Sequence, residues 1–188
     1  MSHPEMKSAA VPISASGEID LVAAEHKFEA VRTPDSHLAL MDAASLKTHL
    51  FVGGTKGGFI FPEFLFASDA MYSIAKLMEC MALTKKKLGE LDGLVPRLTF
   101  VKKNIPCPWH AKGLVMRLIM KDTEALPRQL VEGVKIFPPN LGAHTSVLLN
   151  PDRARPVFHI NAESTDLATA QRLSNEYEAK VRAWIEAE

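Results

Sequence analysis

The chain has 188 residues, of which 47% are hydrophobic and 23% charged, a composition typical of a soluble globular protein with one domain or two. Its 22 Lys and Arg residues equal its 22 Asp and Glu residues, and this balance argues against a broad nucleic-acid interface. No apolar run approaches the ~20 residues that span a bilayer, so we expect no membrane partner. Cys80 and Cys107 show no metal-ligand spacing, and we expect a reducing, cytoplasmic location.

The first part of the chain is predicted to be a leader followed by a small domain. Residues 1–17 are rich in Ser, Ala and Pro and show no periodicity, so we predict a flexible leader. We place a first domain over residues 18–95. Its pattern predicts short helices over 19–26 and 38–44, and short strands over 28–31, 49–52 and 59–61.

A longer helix is predicted after Ser68, which is a favourable N-cap residue. Apolar residues recur there at intervals of three or four: Met71, Ile74, Ala75, Met78, Met81 and Ala82. This spacing indicates one helical face, and methionines on such a face are typical of a core rather than of a metal or cofactor site. A short basic helix over 85–91, capped by Thr84, is predicted to be solvated.

Residues 96–188 are predicted to form a second domain. The pattern indicates strands over 97–103, 134–137, 147–149 and 158–163 and a helix over 112–120. A last helix begins after Thr165 or Asp166, and its inner face is Ala170, Leu173, Tyr177, Val181, Trp184 and Ile185. This order is typical of an α+β unit whose helices lie on one side of an antiparallel sheet.

Two loops stand out as candidate binding sites. The loop between the last two strands carries Arg153 and Arg155, whose planar guanidinium groups can each bond two phosphate oxygens. The alternative, a hairpin whose arginines face only water, is equally compatible with the pattern. Residues 53–58 contain four glycines, which let a backbone approach a ligand or simply turn with positive φ. They lack the order of a Walker or dinucleotide-binding loop.

The order of these elements resembles the C-terminal half of the α-D-phosphohexomutases, which include phosphomannomutases, phosphoglucomutases and phosphoglucosamine mutases. It is also similar to the mutase-like region of some mannose-1-phosphate guanylyltransferases. Residues 53–62 resemble the family's third-domain sugar loop, commonly G-E-x-S-G-H followed by an apolar strand. Residues 150–156 occupy the place of the phosphate loop, usually R-x-S-(G/N)-T-x-P. Residues 32–34, 68–71, 112–117 and 132–136 are similar to further family segments.

The resemblance implies an α+β fold, with a partial α/β third mutase domain followed by a small C-terminal domain. It implies a hexose phosphate as the ligand, because the family moves phosphate between the C1 and C6 oxygens of a hexose. The implied phosphate-binding residues are Arg153, Arg155 and Asn150. The implied sugar-binding residues are Thr55, Lys56, Gly57 and His37.

Several family features are missing from this chain. The phosphoserine loop, similar to T-A-S-H-N-P, and the magnesium loop, similar to D-G-D-x-D-R, do not occur and belong to the family's first two domains. We therefore assign no catalytic residue, metal ligand or cofactor here, and expect Mg²⁺ only in the missing family domain. Thr55 stands in place of the sugar-loop glutamate, and the usual serine and threonine of the phosphate loop are absent.

Three hypotheses follow. In the first, the chain is the phosphosugar-binding portion of a phosphomannomutase- or phosphoglucomutase-like protein, and another polypeptide carries the missing mutase domains. In the second, it is a non-catalytic structural or regulatory module that forms a homo-oligomer or docks on a sugar-nucleotide transferase. The third, an unrelated small enzyme, ranks lowest, because none of the seven histidines forms a metal pair at helical spacing and no G-x-S-x-G element occurs.

Overall fold

The computed structural model describes residues 8–142 and 144–187. The chain divides into two compact units after Arg97, two residues beyond the predicted end of the first domain. Within the described part of the chain, no helix is long and apolar enough to cross a membrane.

The first unit contains a four-stranded mixed sheet with the strand order β2-β1-β3-β4. Strand β1 runs parallel to β2 and β3, while β4 is antiparallel to β3. The elements in chain order are β1 (Ser8–Pro12), α1 (Glu18–His26), β2 (Glu29–Thr33), α2 (His37–Ser45), β3 (Phe51–Gly53), β4 (Phe59–Ile60), α3 (Ala70–Thr84) and α4 (Leu88–Asp92).

The prediction of a flexible leader over residues 1–17 is wrong for β1, which is an inner strand of this sheet. Ala9, Ala10 and Val11 are buried there, and the amide of Ile13 donates to the carbonyl of Thr33 at 2.8 Å. The prediction failed because a short run of small residues that ends in proline has no periodic pattern. Parallel strands that are buried on both faces commonly have such uninterrupted apolar sequences. Residues 1–7 of the predicted leader lie outside the described residues.

The core of the first unit is small. Helix α2 is capped by Ser36, whose hydroxyl accepts the amide proton of Ala39 at 3.1 Å. The helix packs three apolar residues on the sheet, and the resulting buried cluster consists of Ala10, Leu40, Ala43, Ala44, Val52 and Ile60.

The predicted core role of the α3 methionines is wrong. None of the fifteen described residues of α3 is buried, and the exposed fractions of Met71 and Met78 are 79% and 64%. The helix begins one residue later than expected, because the N-cap is Asp69, whose carboxylate accepts from the amide of Tyr72. Tyr72 packs on the rings of Phe61 and Phe64, and Lys76 pairs with Glu63 at 3.0 Å, so α3 contacts its unit without burying its methionines.

The second unit contains a five-stranded sheet with the strand order β5-β9-β8-β7-β6, in which all neighbouring strands are antiparallel. The elements are β5 (Thr99–Pro106), α5 (Ala111–Asp122), β6 (Arg128–Gln129), β7 (Val134–Ile136), β8 (Ser146–Pro151), β9 (Val157–Ser164) and α6 (Leu167–Glu186). The predicted α+β arrangement is confirmed.

The core of the second unit is extensive. Phe158, Ile160 and Ala162 alternate on β9 and are buried, as the period-2 pattern predicts. Both helices cover that face of the sheet. The cluster consists of Ile105, Cys107, Ala111, Val115, Ile119, Val134, Ile136, Val147, Leu149, Phe158, Ile160, Ala162, Leu173, Tyr177 and Val181. Helix α6 is capped by Asp166, and Trp184 and Ile185 are partly buried against the cluster, so the predicted inner face of α6 is confirmed.

Candidate functional site

Residues 152–156 connect β8 to β9, and we call this segment the arginine loop. The loop is closed by backbone hydrogen bonds. The amide of Asp152 donates to the carbonyl of Val157 at 2.9 Å, and the amide of Val157 donates to the carbonyl of Arg155 at 2.8 Å. The antiparallel register of the two strands therefore continues to the base of the loop.

The Asp152 carboxylate lies at the centre of the loop. Its Oδ1 accepts from the backbone amides of Ala154 at 2.8 Å and Arg155 at 2.9 Å, which is the geometry of an Asx turn. Its Oδ2 accepts from Nε of Arg155 at 2.8 Å and from Nε2 of His159 at 3.0 Å. The amide of Ala154, together with Arg155 and His159, holds the pKa of this carboxyl well below its usual range, against the opposing effect of partial burial.

The side chain of Lys112 holds the backbone of the arginine loop in place. This residue lies in the first turn of α5 and is 9% exposed. Its Nζ donates to the backbone carbonyls of Asp152, at 2.6 Å, and Arg155, and lies 3.7 Å from the centre of the Trp109 ring. A lysine ammonium has three protons to donate, and here two of them go to the loop backbone. The conformation of the loop therefore depends on a side chain from a distant helix.

The two predicted arginines are exposed, and each has a carboxylate partner. The side chain of Arg153 is 71% exposed and pairs with Glu132, while that of Arg155 is 65% exposed and pairs with Asp152. Asn150 is placed differently. Its amide oxygen is buried, and among the described residues it has no hydrogen-bond partner. The loop thus presents two guanidinium groups outward, while the Asn150 oxygen faces the interior.

The glycine-rich segment over residues 53–58, the glycine loop, connects β3 to β4 in the first unit. Thr55, Lys56 and Gly57 are exposed there, and Gly57 adopts a φ of 87° that other residues rarely adopt. A Cβ atom on Gly54 would lie 2.4 Å from the carbonyl oxygen of Gly57, so the turn requires a glycine at that position. The glycines therefore have a conformational role in shaping the turn.

Topology places His37 and the glycine loop at the same edge of the sheet. Strands β1, β2 and β3 are parallel, so the segments that follow them all begin at their carboxyl edge, which is where ligands bind in open α/β sheets. His37 begins α2 after β2, and the glycine loop follows β3. A cavity of about 370 Å³ lies beside the loop, and its polar lining includes Ser16, Glu18 and Thr55.

The predicted sugar-binding residues thus lie in the first unit and the predicted phosphate-binding residues in the second. Residues 2–98 match the sequence profile described as phosphoglucomutase/phosphomannomutase, alpha/beta/alpha domain III. The chain belongs to the phosphoglucomutase/phosphomannomutase family.

The relatives and solved structures compared with this chain are longer than the chain itself. A probable phosphoglucosamine mutase of Methanopyrus kandleri is 27% identical over 179 residues, which are 94% of this chain and 39% of that protein. The structure of a phosphoglucomutase/phosphomannomutase family protein from Burkholderia thailandensis matches 95% of this chain and 38% of its own, with a TM-score of 0.77 at 14% identity. That likeness shows the fold alone. The chain therefore corresponds to a C-terminal part of the family and spans well under half the length of these proteins.

A third comparison concerns a structure with a ligand. The Aspergillus fumigatus N-acetylphosphoglucosamine mutase in complex with GlcNAc-6P and magnesium matches 95% of this chain and 41% of its own, with a TM-score of 0.65 at 13% identity. Within residues 8–142 and 144–187 of this chain, no group of three or more His, Cys, Asp or Glu side chains is arranged to hold a metal ion.

Sequence reasoning missed the residues that shape the arginine loop. When the family's usual phosphate loop, R-x-S-(G/N)-T-x-P, is laid on residues 150–156, its arginine falls on Asn150, its serine on Asp152 and its threonine on Ala154. A carboxylate thus replaces a neutral hydroxyl in an anion-binding motif. An aspartate that precedes two exposed loop residues is a signal for an Asx turn, and this signal could have identified Asp152. No local signal connects Lys112 to the loop.

Proposed function

We propose that this chain is the phosphosugar-binding portion of a phosphomannomutase- or phosphoglucomutase-like protein and that Arg153 and Arg155 bind the phosphate of a hexose phosphate. The arginine loop carries the proposal, because Lys112 and the Asx turn hold it in one conformation while both guanidinium groups remain exposed. Such a preorganised loop reduces the entropy that a ligand must remove on binding.

The sugar would be bound by the other loop. Thr55, Lys56 and Gly57 are exposed beside a cavity, and His37 begins a helix at the same edge of the sheet. The names of the relatives, phosphoglucosamine mutase and N-acetylphosphoglucosamine mutase, support a hexose phosphate as the class of ligand. A cytoplasmic location stays a prediction from the sequence.

We do not propose catalysis by this chain alone. The phosphoserine and magnesium loops of the family's first two domains are absent from its sequence. The family's intramolecular phosphate transfer would need both loops from residues outside the 188 of this sequence. The contribution of this chain would be to orient the hexose phosphate by binding its non-reacting phosphate.

Isothermal titration calorimetry with mannose 1-phosphate and glucose 1,6-bisphosphate tests this function. The variant Arg153→Ala/Arg155→Ala should bind either ligand more weakly by about 1.5–3 kcal/mol, because hydrogen bonds to charged groups have this magnitude. Arg182→Ala is the matched control, since Arg182 is also an exposed arginine paired with a carboxylate, that of Glu178. A folded native chain that releases no heat with either ligand would contradict the proposal.

A second candidate function is that of a non-catalytic module that associates with a second copy of the chain. Exposed apolar residues on α3 favour it: Met71, Ile74, Leu77, Met78 and Leu83. These residues form more exposed apolar surface than a single helix usually presents to water. In that case the arginine loop would bind no ligand, and the family fold would serve only to associate two copies of the chain.

Light scattering over a range of concentrations tests this second function. A mass that rises with concentration, and that returns to the monomer value in Ile74→Lys/Met78→Lys, would support it. The control is Leu88→Lys, because Leu88 is 55% exposed and lies on α4 rather than on α3. A monomer at all concentrations, together with saturable binding of hexose phosphate, would favour the first function.

A further inference from the structure

The groups that could bind a phosphate in the arginine loop already hold an anion. Two adjacent backbone amides, those of Ala154 and Arg155, point at one carboxylate oxygen of Asp152. Nε of Arg155 and Nε2 of His159 point at the other oxygen. Four donors thus converge on one side chain of the same loop.

These donors are of the kind that proteins use for phosphate. Consecutive backbone amides in a turn form a concave anion site, and an arginine adds a planar fork for two oxygens. A carboxylate oxygen and a phosphate oxygen accept these hydrogen bonds in the same way. The Asp152 carboxylate therefore stands where the oxygens of a bound phosphate would be expected to lie, and it is held there covalently.

We propose that the Asp152 carboxylate is a built-in anion that occupies the phosphate-binding groups of the arginine loop and sets the affinity of the loop for a ligand phosphate. The inference rests on the proposed function, because it concerns the same loop and the same class of ligand. A phosphate that binds to these groups must take Arg155 and the two amides away from Asp152.

The surroundings of Asp152 maintain the competition between its carboxylate and a ligand phosphate. Its carboxyl side chain is 11% exposed, so a phosphate and the carboxylate cannot both be solvated by bulk water at the loop. The low pKa of the carboxyl keeps it charged at neutral pH. Lys112 bonds the loop backbone rather than the carboxylate, so the loop conformation does not itself require the charge at position 152.

The direct test is removal of the charge without removal of the acceptor. Asp152→Asn keeps an oxygen for the amides of Ala154 and Arg155 but frees the Arg155 guanidinium. Asp152→Ser is the second variant, because a serine hydroxyl can also accept in such a turn. Asp166→Asn is the matched control, since Asp166 likewise accepts from a backbone amide, that of Thr169, but caps α6 outside the loop.

The affinity of the full chain for glucose 1,6-bisphosphate and for inorganic phosphate is measured by calorimetry, and thermal unfolding checks that each variant is folded. We expect Asp152→Asn to bind both ligands about tenfold more tightly than the native chain, because charged hydrogen-bond partners are about twice as strong as neutral ones. The gain should disappear in Asp152→Asn/Arg155→Ala. Asp166→Asn should bind as the native chain does.

The outcomes separate this inference from the proposed function. If neither Asp152 variant binds more tightly than the native chain, while Arg153→Ala/Arg155→Ala binds more weakly, the inference is overturned and the proposed function stands. If the native chain binds no ligand and Asp152→Asn does, the inference stands and the native loop is not a phosphate site. If no chain binds, both fail.

If both Asp152 variants unfold, a measurement on the native chain tests the inference. Amide resonances of Ala154 and Arg155 are followed by nuclear magnetic resonance as glucose 1,6-bisphosphate is added. Displacement of Asp152 changes the acceptor of both amides, so both resonances should shift with the saturation curve. Saturable binding that leaves both resonances unchanged would overturn the inference.

Discussion

The two units are of similar length but bury different amounts of apolar chain. Among the described residues, the core cluster of the second unit has fifteen buried members, which come from strands and both helices, whereas that of the first unit has six, three of which are alanines. In the first unit the longest helix, α3, contributes none of its described residues to the core. Apolar periodicity shows that a helix has an apolar face, but it does not show what covers that face.

The largest expected effect comes from a substitution in the core of the second unit. Phe158→Ala should lower the free energy of unfolding by about 3–5 kcal/mol, because the ring is fully buried on β9 and its removal leaves a cavity. Denaturant unfolding followed by circular dichroism measures this loss. A change below about 1 kcal/mol would mean that this core is looser than its burial indicates.

A glycine of the second unit should give the next largest effect. Gly133 has a φ of 134°, and a Cβ atom there would lie 2.6 Å from the carbonyl oxygen of Leu149. Gly133→Ala should therefore cost about 3 kcal/mol in thermal or denaturant unfolding. Gly113→Ala on α5 is the control, since a Cβ there meets no atom within 4 Å beyond its chain neighbours and the backbone of its own helix, and alanine favours the helix. Equal effects of the two substitutions would contradict the structural argument.

Acid should distinguish the units by the pH at which each loses stability. Burial lowers the pKa of His49 in the first unit, partly opposed by Glu29, so its contribution is present above the unfolded value of about 6.5 and is lost as the pH falls below it. In the second unit the pKa of Asp152 is depressed, so its contribution is lost only below about pH 4.

Melting temperatures between pH 8 and pH 3, followed with a probe in each unit, test this order. His49→Gln should flatten the dependence of the first unit between about pH 7 and pH 5, where the unperturbed histidine titrates. Asp152→Asn should flatten that of the second unit below about pH 4. Loss of stability in both units at the same pH, unchanged by either substitution, would show that other groups dominate.

The smallest expected effect concerns α3. Met78→Ala should change the free energy of unfolding by no more than about 0.5 kcal/mol, because the side chain is 64% exposed and alanine favours a helix. A loss of more than about 2 kcal/mol would show that this face is covered in solution, and the contrast between the units would then disappear.

Prediction from the sequence succeeded more often in the second unit than in the first. The alternation on β9 and the inner face of α6 were predictable, because one side of each element is buried and the other is not. Strand β1 was not predictable from the sequence. Both of its faces are covered, so it can be built from alanines, which show no alternation of apolar and polar residues. The exposure of α3 could not be inferred, because it depends on the absence of a partner surface within its unit.

The candidate site was predictable in part. The exposed arginines on a hairpin loop follow from the residues themselves, and the structure places both on that loop. The use of Asp152 as their partner depends on a side chain that turns back on its own backbone, and the use of Lys112 depends on packing between elements forty residues apart. Neither contact leaves a periodic signal in the sequence.

The two carbonyl contacts of Lys112 have a consequence for engineering. The loop is shaped by an amine in α5 that bonds backbone oxygens, so its path does not depend on the identity of the outward side chains at positions 153 and 154. Those positions can be randomised on a fixed frame, as in the variable loops of designed binders. The hairpin is therefore a scaffold on which new anion specificities can be selected without redesign of the fold.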